Sequence, residues 1–211
     1  MIYRAERRRR RKSFKRELSE WVITLAVAII ASLFVVSNII SLTQIKEQSM
    51  EPTFKEDDRV VVYKLGYYFN GPERGDIIIL NKYIDKKGPF INMINEAKDI
   101  YENIVYRFTG IIEKKNLIKR VVGIPGDILD IRDGLVYING KVEEGYKFRG
   151  RTYENSEFTY PIEIPADKVF VLGDNRENSV DSRILGLIDY TQIKGKVSFR
   201  IWPFYRFGKI E

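Results

Sequence analysis

From Trp21 to Leu42 the chain runs for 22 residues without a charge, rich in Val, Ile, Leu and Ala. A helix needs about 20 apolar residues to cross the hydrocarbon core of a bilayer. Immediately before this run lies a basic tail. Residues 1–20 hold nine Lys/Arg against three Glu, and Arg7 to Lys12 is an unbroken basic stretch. That tail carries a net +6 of the whole chain's +7, so everything after the apolar run is nearly neutral. The basicity is therefore a property of the tail, and it argues against a nucleic-acid-binding surface on the folded part. A removable export signal also combines a basic start with an apolar middle. Its apolar region usually spans about 7–15 residues, however, and no small-x-small site closes this run. The expectation is a retained transmembrane helix over 21–45, with the basic tail of residues 1–20 on the cytoplasmic side and residues 46–211 outside. Trp21 sits where an interfacial anchor belongs.

Past the membrane segment the pattern is mainly β. Short β-branched runs occur at 59–64, 76–80 and 117–122, with further runs at 168–172 and 196–202. Ile128 to Arg132, Asp133-Gly134, Leu135 to Ile138 and Asn139-Gly140 read as a meander, because Asp-Gly and Asn-Gly are strong hairpin-turn signals. Such punctuation predicts an antiparallel sandwich or barrel-like domain, with a small β-hairpin subdomain over 133–167. One segment departs from this. Apolar residues at 90, 91, 94, 97, 100, 101, 104, 105 and 108 have helical spacing, with Gly88-Pro89 before and Gly110 after, so a helical insertion is predicted within 81–110. Its apolar stripe could face a membrane or a partner. The commoner arrangement, and the one expected, packs that stripe on the domain's own sheet. The aromatic C-terminus, Trp202-Pro203-Phe204-Tyr205-Arg206-Phe207, reads equally well as an interfacial patch or as a core-packed closing strand.

The chain contains no histidine and no cysteine. A Ser-His-Asp triad and a thiol nucleophile are both excluded, so a base for serine chemistry would be a lysine, a carboxylate or a terminal amine. Without His or Cys, only carboxylates could hold a metal; no metal and no cofactor are expected. Three segments carry candidate chemistry. Ser49-Met50-Glu51-Pro52-Thr53 follows the membrane exit. Lys119 lies inside an apolar strand pattern and leads into Arg120-Val121-Val122-Gly123-Ile124-Pro125-Gly126-Asp127. A polar loop, Gly173-Asp174-Asn175-Arg176-Glu177-Asn178-Ser179-Val180-Asp181-Ser182-Arg183, follows another apolar strand. Each alone is ordinary: a solvated loop serine, a strand lysine turned outward, a surface loop.

In this order behind one membrane segment, the three resemble the bacterial type I signal peptidases. The likeness covers nearly all of residues 15–211 and is densest at 49–54, 75–80, 117–127 and 173–183. The resemblance implies a mostly antiparallel β catalytic domain beside the membrane. It makes Ser49 the nucleophile and Lys119 the general base. Ser179 becomes the hydroxyl that positions the lysine amine, Asp181 and Arg183 a supporting ion pair, Asp174 a further supporting residue, and Met50 a lining residue of the substrate pocket. It also implies cleavage of exported preproteins at small-x-small sites by a single copy of the chain. Two positions before Ser49, where the family carries a hydroxyl or a glycine, stands Glu47, which when ionised cannot donate to an oxyanion. Two other functions fit the sequence less well. A self-cleaving regulator with Ser-Lys chemistry would carry a DNA-binding domain that residues 1–45 cannot form, and a non-enzymatic assembly factor would have no need of both Ser49 and Lys119.

Overall fold

A computed structural model of the chain describes residues 2–83, 88–109, 116–154 and 159–210. It opens on a long helix, α1 (Ile2–Asn38). The stretch from Phe14 to Asn38 is long and apolar enough to cross a membrane; its apolar window is not buried by the rest of the protein, whereas Ser37 and Asn38 at its end are. The helix stops at Asn38, short of the expected residue 45. Asn38 Nδ2 and Ser37 Oγ both donate to the Phe34 carbonyl at 3.1 Å, serving the carbonyls that a helix end leaves open. The next residues form strand β1 (Ile40–Gln44), paired antiparallel with β2 (Arg59–Tyr63) from Ile40↔Tyr63 to Gln44↔Arg59. The apolar run therefore divides between a helix and a strand. Apolarity alone does not separate the two, and the pairing partner of β1 lies outside the run.

The chain continues through β3 (Ile77–Asn81), helix α2 (Pro89–Thr109) and β4 (Asn116–Gly123). There follow β5 (Ile128–Arg132), β6 (Leu135–Ile138), β7 (Lys141–Val142) and β8 (Ile162–Glu163). Next come β9 (Lys168–Leu172), the short helix α3 (Ser182–Leu185), β10 (Ile188–Asp189), β11 (Ile193–Trp202) and β12 (Gly208–Lys209). The main sheet runs β1-β2-β11-β3-β4-β9-β10, with β12 on β11; a second sheet runs β7-β6-β5-β8. All strand pairs are antiparallel. The small sheet thus begins at β5, before the expected boundary at 133, because β5 is the strand that both β6 and β8 need. The predicted turns hold: Asp133-Gly134 and Asn139-Gly140 have positive φ at both residues, the requirement of the tight primed turns that match strand twist.

The central strands β3 and β4 are buried along almost their whole length, and side chains alternate between the two faces of a strand. Ile77, Ile79 and Ile118 join Ile45, Met50, Phe54, Val60 and Val62 in one core cluster. Ile78, Leu80, Leu117 and Val121 join Val169, Val171 and Ile193 in a second. A third, with Val122, Leu129, Ile131, Phe170 and Leu172, ties the small sheet to the main one.

That tie is also polar. Arg176 and Glu143 are each about 1% exposed. The guanidinium donates two bonds of 2.6 Å to Glu143, one of 2.9 Å to Thr152 Oγ1 and one of 3.1 Å to the Gly173 carbonyl, and it stacks over Phe148. Removing one partner of such a pair strands the other charge in low dielectric, at about 3–5 kcal/mol. Arg176→Ala should lower unfolding free energy by that order in denaturant titration. The double variant Arg176→Met with Glu143→Leu should recover most of the loss.

Helix α2 reverses the expected orientation. Its apolar residues Phe90, Ile94, Tyr101 and Ile104 are exposed, while its polar face meets the protein: Lys64 pairs with Glu96 at 2.9 Å and Lys194 with Asp99 at 2.5 Å. Gly110, the predicted stop, lies outside the described residues. At the C-terminus β12 does close onto β11, yet Phe204, Tyr205 and Phe207 remain exposed.

Candidate active site

Ser49 lies in the turn that follows β1. The turn is fixed from inside by Glu51 N–H donating to the Gln48 carbonyl at 3.1 Å and Phe54 N–H to the Met50 carbonyl at 2.8 Å. It is fixed from outside by Arg200 and Arg206, which both donate to the Thr53 carbonyl and pair with Asp58. Lys119 is on β4, opposite Ile78. Strand alternation sets it between Leu117 and Val121 on the face of the second cluster, and it is fully buried. Its Nζ donates 2.8 Å hydrogen bonds to Ser49 Oγ and to the Ile118 carbonyl. Two residues 70 apart in sequence thus meet in a buried contact.

Burial disfavours the ammonium form and brings the Lys119 pKa down from its ordinary value to about 8. The carboxylates of Glu47, Asp181 and Asp174 oppose the shift, in that order. By sequence no carboxylate adjoins Lys119; the fold supplies three. A neutral amine can accept a proton, so a reaction that uses Lys119 as base gains rate as pH rises, with its limb centred near pH 8. Glu47→Gln removes a charge that favours the ammonium. The variant's kcat/KM limb should shift to lower pH, as read from a pH profile with chemistry rate-limiting.

The third segment closes over the first. Asn175 N–H donates to the Ser49 carbonyl at 3.0 Å and Asn175 Nδ2 to the Gln48 carbonyl at 3.2 Å. Asp174, fully buried, receives two 2.8 Å bonds from the Arg120 guanidinium and one from Thr53 Oγ1. Arg120 also donates to the Gly75 carbonyl and lies over the Tyr146 ring. Asp181 receives two 2.8 Å bonds from Arg183 and caps α3 through the Arg183 N–H. Its second oxygen accepts from Gly173 N–H at 3.1 Å, and Arg183 Nη2 reaches the Arg176 carbonyl at 2.6 Å. The Asp181–Arg183 pair therefore rigidifies the loop from both ends.

Two more residues of the sequence reading have defined surroundings. Ser179 Oγ is buried and makes no hydrogen bond; the second acceptor on Lys119 Nζ is the Ile118 carbonyl. Met50 has no exposed surface and packs in the first core cluster. Sequence reasoning passed over Arg120, Thr53, Asn175 and Gly173. A charged residue next to Lys119 inside a strand pattern was the signal for Arg120, and Asn175 and Gly173 have no local signature. Among the described residues no group of three or more acidic side chains is placed to hold a metal ion.

Gly173 is where the loops touch. A methyl added there would lie 2.5 Å from the Ser49 carbonyl oxygen, and closer still to Ser179 Oγ. Overpacking at a tight site typically costs about 1–3 kcal/mol, and here the strain falls on the Ser49 turn. Gly173→Ala should retain the fold, by circular dichroism, while losing most of any reaction that depends on the Ser49–Lys119 contact.

Residues 18–202 match the family described as signal peptidase, peptidase S26. The chain belongs to that family. It is accordingly a serine peptidase of the signal-peptidase kind. Signal peptidase IB of Staphylococcus aureus is 34% identical over 208 residues, covering 92% of this chain and 94% of its own length. Signal peptidase I of Leptolyngbya laminosa is 33% identical over 196 residues, covering 92% and 84%. Among solved structures, a signal peptidase I from Enterococcus faecalis V583 aligns with 25% identity and a TM-score of 0.40, over 61% of this chain and 98% of that one.

Proposed function

We propose that this signal-peptidase-family chain is a membrane-anchored endopeptidase that cuts N-terminal signal peptides from exported preproteins at small-x-small sites, with Ser49 as nucleophile and Lys119 as general base. The observation that carries the assignment is the 2.8 Å contact between Ser49 Oγ and the Nζ of a fully buried lysine.

The steps follow from that contact. Neutral Lys119 takes the Ser49 proton as Oγ attacks the scissile carbonyl, and the C–O bond forms as the carbonyl π electrons move onto oxygen. The ammonium then protonates the departing amine as the C–N bond breaks, leaving an acyl-serine. A water that loses its proton to Lys119 releases the acid and restores Ser49. The oxyanion needs preorganised donors. The Ser49 N–H is the proposed one, since Glu47 has none to offer when ionised. The Ile118 carbonyl orients the amine, while Asp174, Asp181 and Arg183 fix the loop that covers the Ser49 turn. Ser179 supports it by packing against Gly173.

An extended substrate has a place beside the dyad. β9 pairs with Arg120 to Gly123 of β4 and ends at Leu172. Among the described residues, the flank of Asn116 to Ile118 on that side has no strand partner. A cleavage segment adding there as a strand would bring its backbone beside Lys119. The apolar Phe14–Asn38 helix, preceded by the basic tail, supports a single-pass anchor with the tail in the cytoplasm. The dyad is complete in one copy, which supports action as a monomer on a preprotein held in the same lipid.

Ser49→Ala and Lys119→Ala should each reduce preprotein cleavage by at least about 10⁴-fold, because nucleophile and base act as one unit. Purified protein with an intact circular dichroism spectrum is the material for that assay. Substantial turnover by folded Lys119→Ala would remove the lysine from the mechanism.

A further inference from the structure

Helix α2 is amphipathic, but it is mounted inside out. Asn92, Asn95, Glu96, Asp99 and Glu102 fall on one face and are partly covered, as is Met93 beside them. That face is fastened to the domain by Lys64–Glu96 and Lys194–Asp99. The opposite face carries Phe90 (79% exposed), Ile94 (67%), Tyr101 (67%) and Ile104 (52%). Helices of water-soluble domains do the reverse, turning the apolar stripe to the core and the polar side to water. An apolar face held outward by ion pairs on its back is at rest only against another apolar phase.

Its position says which phase. Asn38, the last residue of α1, donates from Nδ2 to the Pro89 carbonyl at 3.3 Å, and Asn92 Nδ2 donates to Asn38 Oδ1 at 3.1 Å. Lys64, which binds Glu96, also donates to the Val36 carbonyl at 3.0 Å. The first turns of α2 are therefore tied to the last turn of the apolar helix, at the level where its unburied surface ends. The apolar face of α2 thus begins beside the end of α1. At 1.5 Å per residue, residues 90–105 span roughly 24 Å, and helices of this kind lie in the bilayer interface with the apolar face about 5–10 Å deep. Lys98, exposed beside the stripe, can extend its ammonium toward the headgroups.

We infer that α2 is a second membrane-contacting element, an interfacial helix seated in the leaflet from which α1 emerges. This rests on the reading that α1 crosses the bilayer. The ion pairs on its inner face transmit that seating to β11 through Lys194 and to the end of β2 through Lys64, so the catalytic sheet is held to the surface at two places.

The absence of native cysteine makes single labels addressable in the full chain. Ile94→Cys, Tyr101→Cys, Ile29→Cys within α1, and Lys141→Cys on β7 would each carry an environment-sensitive fluorophore. The proteins would be reconstituted in phosphatidylcholine/phosphatidylglycerol vesicles with or without brominated acyl chains. The expected result is strong quenching by brominated lipid at 94, 101 and 29 and none at 141. Quenching at 29 with water-like emission at 94 and 101 overturns the inference and leaves the anchor standing. Shielding of 94 and 101 from aqueous iodide without quenching by brominated lipid also overturns it, by showing a protein cover such as a second copy. Failure at 29 itself refutes the anchor reading on which the inference rests.

Discussion

The Asp174 carboxylate is the point on which this domain turns. It is fully buried, and it can be so only because Arg120 meets both its oxygens and Thr53 supplies a further donor. Arg120 comes from the strand that carries Lys119, Thr53 from the turn that carries Ser49, and Asp174 from the loop that covers them. A charge sealed from water without such partners would cost several kcal/mol. The three segments are therefore obliged to meet here, and the lysine and serine, one and four residues away from these partners, are carried into register. The Gly173 approach and the Asn175 bonds act at the same seam.

Burial brings the Lys119 pKa down to about 8 even in a site with three carboxylates. Asp174 and Asp181 are each committed to an arginine, which limits what they can do to the amine. Glu47 leads the opposing carboxylates, and in the proposed mechanism it sets how alkaline the working range is. In place of an oxyanion donor, this position carries a charge that acts on Lys119.

The sequence carries the parts of this structure that are written locally. Short β-branched runs and the Asp-Gly and Asn-Gly pairs mark β2 to β6, β9 and β11, and helical spacing marks α2. What it hides is set by partners elsewhere in the chain. β1 looks like membrane helix until β2 is beside it. β8, β10 and β12 are two-residue pairings with no pattern to show. The stripe of α2 is legible, but its direction is not, because Lys64 and Lys194 decide it from other strands. Around the site, Ser49, Lys119, Asp174, Asp181 and Arg183 are recognisable as motif residues and do come together. The environment of Ser179 and the enclosure of Met50 follow from packing that no local motif encodes.

The transition from α1 to β1 leaves one residue, Ile39, between helix and strand, and Ile39 is itself tied by its carbonyl to Lys64 N–H at 2.9 Å. There is no flexible tether between the apolar helix and the sheet. A five-residue strand at about 3.4 Å per residue then fixes the rise from the end of α1 to the Ser49 turn. With α1 across the bilayer, the Ser49 oxygen stands at a set height above the lipid, like a blade on a fixed post. Which peptide bond of a membrane-lodged leader meets it becomes a question of length as much as of side chains. Under the proposed function, the cut would be selected by distance as well as by side chain.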